Sequence, residues 1–216
     1  MSSEEVYRKA LVEGCEQLDL SLSEQQLQQL LDYHGMLVKW NRAYNLTAVR
    51  DPLQMISRHL LDSLSISPHL QGEDFIDVGT GAGLPGLVMA IVFPERRFQL
   101  LDSAGKKTRF LFQVKTQLGL DNVVIHNGRV ESYHPVQQFD GVISRAFASL
   151  ADMVSCCDHL LKPGGRFYAM KGQYPDEELE QLKKLSDGAK DYKVETCHVL
   201  RVPGEQGQRH LLLISR

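Results

Sequence analysis

Closely spaced glycines and two aspartates are the residues whose types and spacing point most directly to chemistry. An apolar run ends at Asp77, glycines follow at 79, 81, 83 and 86, and a second apolar run ends at Asp102. Glycine adopts positive φ at little cost and lets a ligand contact the bare main chain. A strand, a glycine turn, a helix and a second strand ending in an acid can bind an adenosine ribose at a sheet edge. We therefore predict an adenosine-containing cofactor, with Asp102 accepting hydrogen bonds from the ribose.

The residues beside the glycines indicate which adenosine cofactor to expect. The segment Gly81-x-Gly83-x-x-Gly86 matches the dinucleotide fingerprint, but that match alone is weakly specific. Pro85 has no N–H at the start of the predicted helix, which removes a donor from a phosphate-binding turn. The charge of Asp77 disfavours a pyrophosphate and suits a sulfonium or ammonium cation. We expect S-adenosylmethionine; a nicotinamide dinucleotide, or a turn made only for packing, are the alternatives. Candidate contacts here are Asp77, Gly79, Thr80, Gly81, Gly83, Asp102 and Ser103.

Three later segments follow predicted strands and supply further candidates. Val130 and Glu131 come after the third strand, where an adenine edge would meet a backbone amide and an acid. Arg145 follows the fourth strand, close to the expected site of methyl transfer, as a ligand contact or a surface ion pair. Lys171 ends the fifth strand, where it contacts a phosphate or is simply solvated.

The elements that position these residues alternate from residue 75 onward, which predicts a parallel sheet covered on both faces with ligands at the carboxyl ends of its strands. The final two strands, joined by a Pro-Gly-rich turn, predict a terminal antiparallel hairpin. That ending fits a Rossmann-like methyltransferase sheet of seven strands better than the standard dinucleotide fold. Expected strands are 75–78, 97–101, 123–126, 141–144, 166–170, 192–202 and 208–215, and expected helices are 86–92, 106–118, 150–161 and 176–185.

The first 70 residues are predicted to form a helical cap on the core of residues 71–216. Ser23 and Gln26 make a capping box, and apolar residues recur at helical spacing from Leu27 to Val38. Asp51 followed by Pro52 is a typical helix start.

The overall composition excludes several classes of protein but does not identify one. The chain has 216 residues, 43% of them hydrophobic, and a net charge of −3, so nucleic-acid binding would need a local basic patch. The cysteines form no Cys-x-x-Cys pair and the histidines lack ligand spacing, so we expect no metal. No apolar stretch approaches the ~20 residues of a membrane span, and the start is unlike a signal peptide. We expect a cytoplasmic monomer.

A combination of short segments narrows the class further. These are 39–47 with its Trp-Asn pair, 58–63, 77–86 with its Gly-Leu-Pro-Gly turn, 101–103, 106–111, Ser144-Arg145-Ala146 and Lys171-Gly172. Together they resemble the class I S-adenosylmethionine-dependent methyltransferases and, more narrowly, the bacterial GidB (RsmG) family, from about residue 23 to the C-terminus. The resemblance implies methylation of one guanosine of small-subunit (16S) ribosomal RNA at N7. It also implies cofactor contacts at Gly79, Leu84, Val130, Glu131 and Arg145.

The chemistry implied by this resemblance needs no general base, because guanine N7 already carries a free lone pair. Arg145 is then expected to orient the cofactor or an RNA phosphate rather than to transfer a proton. Candidate RNA contacts are Asn41, Arg42, Arg58, His59, Lys106, Lys107, Arg109 and Lys171, and the partner is small-subunit ribosomal RNA or the 30S particle. Trp40, Tyr44 and Tyr33 offer stacking surfaces unless they are core residues.

Two other functions share these features. One is a methyltransferase for a small molecule or a protein, and the other is a non-catalytic RNA-binding assembly factor that retains a cofactor pocket.

Overall fold

A computed structural model describes residues 2–145, 147–185 and 191–216. Within those ranges, helices dominate as far as residue 70 and strands then alternate with helices. The α-helices are α1 Ser3–Gln17, α2 Glu24–Tyr44, α3 Pro52–Met55, α4 Asp62–Leu64, α5 Gly86–Val92, α6 Gly105–Leu118, α7 Leu150–Cys157 and α8 Asp176–Leu185. A π-helix, Ile56–Leu61, joins α3 to α4, and 3₁₀ turns occupy Ser67–His69, Val130–Ser132 and Asp158–Leu160. The strands are β1 Asp74–Val78, β2 Arg97–Asp102, β3 Val123–Asn127, β4 Phe139–Ser144, β5 Leu161–Lys171, β6 Lys193–Leu200 and β7 Arg209–Ser215.

The seven strands of the described residues form one sheet in the order β3-β2-β1-β4-β5-β7-β6. The first five strands pair in parallel, and β7 inserts antiparallel between β5 and β6. The strand order reverses at β1, which places the carboxyl ends of β1 and β4 side by side. In open α/β sheets this is where ligands bind. The predicted α/β class, the seven strands and the terminal antiparallel hairpin are confirmed.

Two predicted boundaries are wrong by four residues or more. The helix expected over 150–161 ends at Cys157, and β5 begins at Leu161 rather than Arg166. Leu161 pairs with Phe139 of β4, and pairing resumes at Arg166 opposite Gly141. The intervening Pro-Gly-Gly residues bulge from the strand. Because these residue types usually form turns, the sequence pattern did not predict that the strand begins before them.

The helical N-terminal region packs directly on the sheet domain. The Ser23–Gln26 capping box is present in full, with each side chain accepting the backbone N–H of the other residue. One buried apolar cluster runs from Leu11 and Leu30 through Phe75 and Leu100 to Leu213. Asp51 caps α3 through its side chain, as its position before a proline predicts.

Two further properties of the described residues bear on function. None of their helices combines the length and apolar character needed to cross a membrane. No group of three or more His, Cys, Asp or Glu side chains in these ranges is arranged to hold a metal ion.

Candidate functional site

The glycine turn between β1 and α5 is held from behind by Asp77. Thr80 Oγ1 donates to Asp77 Oδ2 at 2.7 Å, and the N–H of Gly86 donates to the same oxygen at 2.8 Å. The carboxylate is 1% exposed, and burial raises its pKa to about 6 although both hydrogen bonds oppose the rise. This differs from the expectation that Asp77 meets a cofactor cation, because the carboxylate is buried and its Oδ2 accepts two hydrogen bonds from the turn.

The front of the turn consists of bare backbone. Gly79 and Gly81 have φ of 70° and 62°, in the left-handed region that favours glycine. A Cβ on Gly81 would meet nothing closer than 3.9 Å, so the front of the turn is open. Ser144 Oγ donates to the Val78 carbonyl at 2.7 Å and ties β4 to the same edge.

Asp102 lies opposite the glycines at the end of β2. Its Oδ2 accepts the N–H of Gly81 and its Oδ1 accepts the N–H of Ala104, both at 2.9 Å. Lys107 Nζ lies 3.5 Å from Oδ2. The carboxylate is therefore fixed in orientation by two loops, and each oxygen retains a lone pair for a further donor.

A cavity of about 310 Å³ opens between the glycine turn and the ends of β2 and β3. We call it the acidic cavity, because Asp102 and Glu131 lie on its wall. Five of the predicted cofactor residues line it together: Gly79, Asp102, Ser103, Val130 and Glu131. Lys107, Arg129 and Phe147 also line it, although the sequence assigned Lys107 to RNA and gave the other two no role.

Three of the other predicted cofactor residues support the turn and do not line the acidic cavity. Thr80 is buried and bonded to Asp77, and Leu84 is buried in the apolar cluster. A Cβ on Gly83 would lie 2.4 Å from Leu87 Cδ1, so glycine there permits close packing of α5. Their sequence pattern was detected correctly, but spacing alone does not show which side of a turn a residue faces.

A second cavity, of about 560 Å³, lies at the carboxyl ends of β4 and β5. Arg145 lines this second cavity and Phe147, two residues later, lines the acidic cavity; Ala146, which the sequence motif includes, lies outside the described residues. We call this space the basic cavity, because its wall includes Arg58, Arg145, Lys171 and Arg209. The remaining lining residues are Ala48, Val49, His59, Asp62, Met170, Gly172, Leu200 and His210.

Asp62, the first residue of α4, joins two of these arginines. Arg145 Nη1 donates to Asp62 Oδ2 at 2.8 Å, and Arg209 Nε lies 3.4 Å from Oδ1. Arg145 was expected to be either a ligand contact or a surface ion pair. Its ion pair lies in a cavity wall, with 27% of the Arg145 side chain exposed.

Two of the predicted RNA residues have internal structural partners. Asn41 is buried, where its side chain donates to the Val49 carbonyl and accepts the Thr47 N–H. These two hydrogen bonds shape the loop after α2 and leave Asn41 inaccessible to RNA, which corrects that expectation. His59 reaches the basic cavity but is 6% exposed and hydrogen bonded to Thr47 Oγ1 at 2.8 Å. Burial, followed by the charge of Arg145, lowers the His59 pKa to about 4.

Lys171 also has internal partners. Its Nζ lies 2.8 Å from Glu178 Oε2 and donates to the Phe147 carbonyl at 3.1 Å. The lysine therefore ties Phe147, which lines the acidic cavity, to α8, which differs from the predicted alternatives of a phosphate contact or simple solvation.

The other basic candidates are distributed over three places. Lys106 and Arg109 are exposed on the first turns of α6, beside the acidic cavity. Arg42 is exposed near the end of α2. Arg58 lines the basic cavity, 3.6 Å from Glu205.

The aromatic candidates differ in their access to solvent. Tyr33 is fully buried, and its hydroxyl donates to the Ala82 carbonyl of the glycine turn at 2.9 Å, so it is a core residue. Trp40 is partly buried between Tyr44 and Phe110, with ring centroids 5.1 and 5.5 Å away. Tyr44 is 44% exposed and remains available for stacking.

Sequence reasoning gave no role to several residues that line the cavities. Asp62 lay inside the quoted segment 58–63 but carried no spacing that marked it as a site residue. Arg209 and His210 come from β7, which reaches the site only because it inserts beside β5. The predicted antiparallel hairpin was the one sequence signal that could have brought the start of β7 to the edge where β1 ends.

Comparisons with known proteins agree with this geometry. The family model described as "GidB: rRNA small subunit methyltransferase G" matches residues 26–212. A relative from Saccharophagus degradans named "Ribosomal RNA small subunit methyltransferase G" is 57% identical, with 97% of this chain and 91% of the relative covered. A relative of the same name from Ectopseudomonas mendocina is 52% identical over 100% of this chain and 99% of its own length.

Solved structures support the fold independently. A methyltransferase from Geobacter sulfurreducens, described as S-adenosylmethionine-dependent and solved with S-adenosylhomocysteine, superposes with a TM-score of 0.55 at 13% identity. The match covers 84% of this chain and 98% of that chain. At this identity the likeness concerns the fold alone. The family match and the near full-length relatives together show that this chain belongs to the GidB family of rRNA small subunit methyltransferases G.

Proposed function

We propose that this protein transfers a methyl group from S-adenosylmethionine to N7 of one guanosine in small-subunit ribosomal RNA. The observation that carries the proposal is the pair of cavities at the carboxyl ends of β1 and β4, one lined by Gly79 and Phe147 and the other by Arg145. The acidic cavity has bare glycine backbone and two acids beside Lys107 and Arg129, whereas the basic cavity has four basic side chains and one acid. Membership of the GidB family supports the same activity.

The residues of the acidic cavity fit S-adenosylmethionine. Asp102 is fixed by Gly81 and Ala104 with lone pairs free for the ribose hydroxyls. Val130 and Glu131 line the side where the adenine edge would lie, and Gly79 allows close approach of the ligand to the backbone. When bound, the cofactor supplies a methyl group activated by a positively charged sulfur.

A pyrophosphate fits this site less well than a cofactor without phosphates. The N–H of Gly86, at the start of α5, is donated to Asp77. Pro85 at the preceding cap position has no N–H to offer. Two donors that a dinucleotide would use at the helix N-terminus are therefore missing, which disfavours a nicotinamide enzyme.

The protein's contribution to the reaction is positional and electrostatic. Guanine N7 attacks with its own lone pair, so no side chain has to remove a proton. Holding two reactants in line lowers the activation free energy by at best on the order of 7–11 kcal/mol. Arg145 lines the basic cavity and is anchored by Asp62, which supports a role in orienting the reactants.

RNA binding rests on the basic cavity and on the exposed cations beside it. Arg58 and Arg209 line the cavity, and Lys106 and Arg109 extend the positive surface past the acidic cavity. Phosphate contacts dominate the affinity of such surfaces. We further infer that the protein acts as a cytoplasmic monomer, on ribosomal RNA free or within the 30S particle.

The test is transfer of labelled methyl from S-adenosylmethionine to small-subunit RNA and to 30S particles that lack the modification, followed by nucleoside analysis. A labelled 7-methylguanosine peak is the expected result, and mapping the labelled fragment identifies the nucleotide. Asp102→Ala should abolish cofactor binding measured by calorimetry, whereas Asp121→Asn, at an exposed turn, should not. Intact cofactor binding without transfer to either RNA form would refute the proposal.

A further inference from the structure

The basic cavity contains an acidic residue that charge attraction to RNA does not explain. Among its described lining residues, Asp62 is the one carboxylate beside four basic side chains. A carboxylate repels phosphate, so attraction of the RNA backbone does not account for its presence in the cavity. Asp62 is also 6% exposed, which means that its charge acts with little screening by water.

The two carboxylate oxygens of Asp62 have different surroundings. Oδ2 accepts a hydrogen bond from Arg145 at 2.8 Å. Oδ1 accepts no hydrogen bond from the described residues, although Arg209 Nε lies 3.4 Å away. A buried carboxylate oxygen that accepts no hydrogen bond is energetically costly unless another molecule supplies a donor. The arrangement leaves Oδ1 with unused acceptor capacity in a residue that lines the basic cavity, although this oxygen atom is itself shielded from solvent.

We propose that Asp62 is the specificity-determining residue that binds the N1–H and the 2-amino group of the target guanine. This inference rests on the proposed function and names how the same site selects its base. Neighbouring N1–H and N2–H donors occur together on the Watson–Crick edge of guanine, and adenine offers an acceptor at N1 instead. A single carboxylate therefore accepts guanine and rejects adenine.

Recognition of this edge is compatible with methylation at N7. The commonest protein contact to guanine is an arginine bound to O6 and N7, which would occupy the lone pair that must attack. A carboxylate on the Watson–Crick edge leaves N7 unoccupied. In the step, the N7 lone pair forms the new N–C bond, the S–C bond breaks with its electron pair moving to sulfur, and no proton moves. The base becomes cationic, and the negative charge of Asp62 stabilises it.

The competing explanation is that Asp62 only holds Arg145 and Arg209 in place. The two roles are separated by pairing enzyme variants with altered substrates. Inosine keeps N1–H and N7 but lacks the 2-amino group. RNA carrying guanosine or inosine at the mapped nucleotide is assayed with wild type, Asp62→Ala, Asp62→Asn and the exposed control Asp121→Asn.

The expected result is a guanosine preference that depends on Asp62. The ratio of kcat/KM for guanosine over inosine should be roughly 10- to 100-fold larger in wild type than in Asp62→Ala, given about 1–3 kcal/mol per base contact. The ratio measured with Asp62→Ala also gives the difference in intrinsic N7 reactivity between guanosine and inosine. Equal ratios within about twofold in the two enzymes would overturn the proposal, since a purely structural role lowers both rates alike.

A measurement on wild type alone guards against variants that fail to fold. RNA with 1-methylguanosine at the target lacks the N1–H and should be methylated at least about 100-fold more slowly than guanosine RNA. Transfer at the guanosine rate would overturn the role of Asp62 while leaving the proposed function intact. Absence of any transfer to guanosine RNA would refute the proposed function itself, and this inference with it.

Discussion

Replacing Asp77 with asparagine removes the titration of a carboxyl group buried behind the glycine turn. In the folded protein, burial raises the pKa of Asp77 from 3.8 to about 6. Between these values the folded state binds a proton that the unfolded chain does not. Asp77 therefore contributes stability that is fully present below pH 3.8 and is lost as pH rises through 6. The asparagine variant cannot show this loss.

The magnitude follows from the two pKa values. A carboxyl group whose pKa is about 2 higher in the folded state changes the free energy of unfolding by about 3 kcal/mol across the titration. The side chain introduced by Asp77→Asn would keep an acceptor for Thr80 and Gly86 but would place an amide where Asp77 Oδ1 has no hydrogen-bond partner. That orphaned amide costs about 1–3 kcal/mol at every pH. Only the pH-dependent difference between the proteins therefore tests the titration.

The assay is urea unfolding followed by fluorescence of Trp40, the one tryptophan, whose ring contacts Phe110 in the core. Wild type should lose about 2.5 kcal/mol relative to Asp77→Asn between pH 4 and pH 8, because the carboxyl of the unfolded chain is already partly ionised at pH 4. His59 titrates in the same range but is present in both proteins, so it cancels from the difference. Asp121→Asn should run parallel to wild type. A wild-type minus Asp77→Asn difference that stays constant within about 0.5 kcal/mol would refute the raised pKa.

Two further predictions test packing and ligand assignment. A Cβ on Gly14 of α1 would lie 2.3 Å from a leucine side chain of the π-helix, so Gly14→Ala should destabilise the protein by about 1–3 kcal/mol in urea unfolding. Gly35 of α2 has nothing within 4 Å of such a Cβ, so Gly35→Ala should stabilise it by about 0.5–1 kcal/mol. Changes of the same sign in the two variants would contradict this prediction. Changing Lys106 and Arg109 together to Gln should reduce the salt dependence of RNA binding by roughly 1–2 in log–log slope with cofactor affinity unchanged. Lys107→Gln should instead weaken cofactor binding in calorimetry. Weaker cofactor binding by the double variant, with unchanged cofactor binding by Lys107→Gln, would show that the roles of these α6 residues are assigned wrongly.

The fold was predictable because its local patterns agree with its tertiary structure. The alternation of apolar runs with helical spacing predicted all seven strands of the described sheet, and α5 and α8 have the predicted bounds. The start of β5 was missed because Pro163 and Gly164 are turn formers in isolation. Pairing of Leu161 with Phe139 overrides that preference, and no local rule contains this long-range contact.

The candidate site was only partly predictable, for a geometric reason. Position relative to a strand end located Gly79, Asp102 and Glu131 correctly at the edge of the sheet. It did not distinguish the two sides of the glycine turn, so Asp77 was assigned to the ligand although it faces the protein. Chemical type suggested Asn41 for RNA, yet its amide is used by the loop after α2.

The contacts of the N-terminal helices argue that they are part of the site rather than an addition to it. Tyr33 of α2 bonds to Ala82 of the glycine turn, and Gly79 of the same turn lines the acidic cavity. Asp62 of α4 anchors Arg145, which is on the basic side. Each bond joins a helical residue to the segment after a strand, and the two strands, β1 and β4, are neighbours. Displacing these helices would therefore disturb both cavities together, and their alignment is what in-line methyl transfer requires.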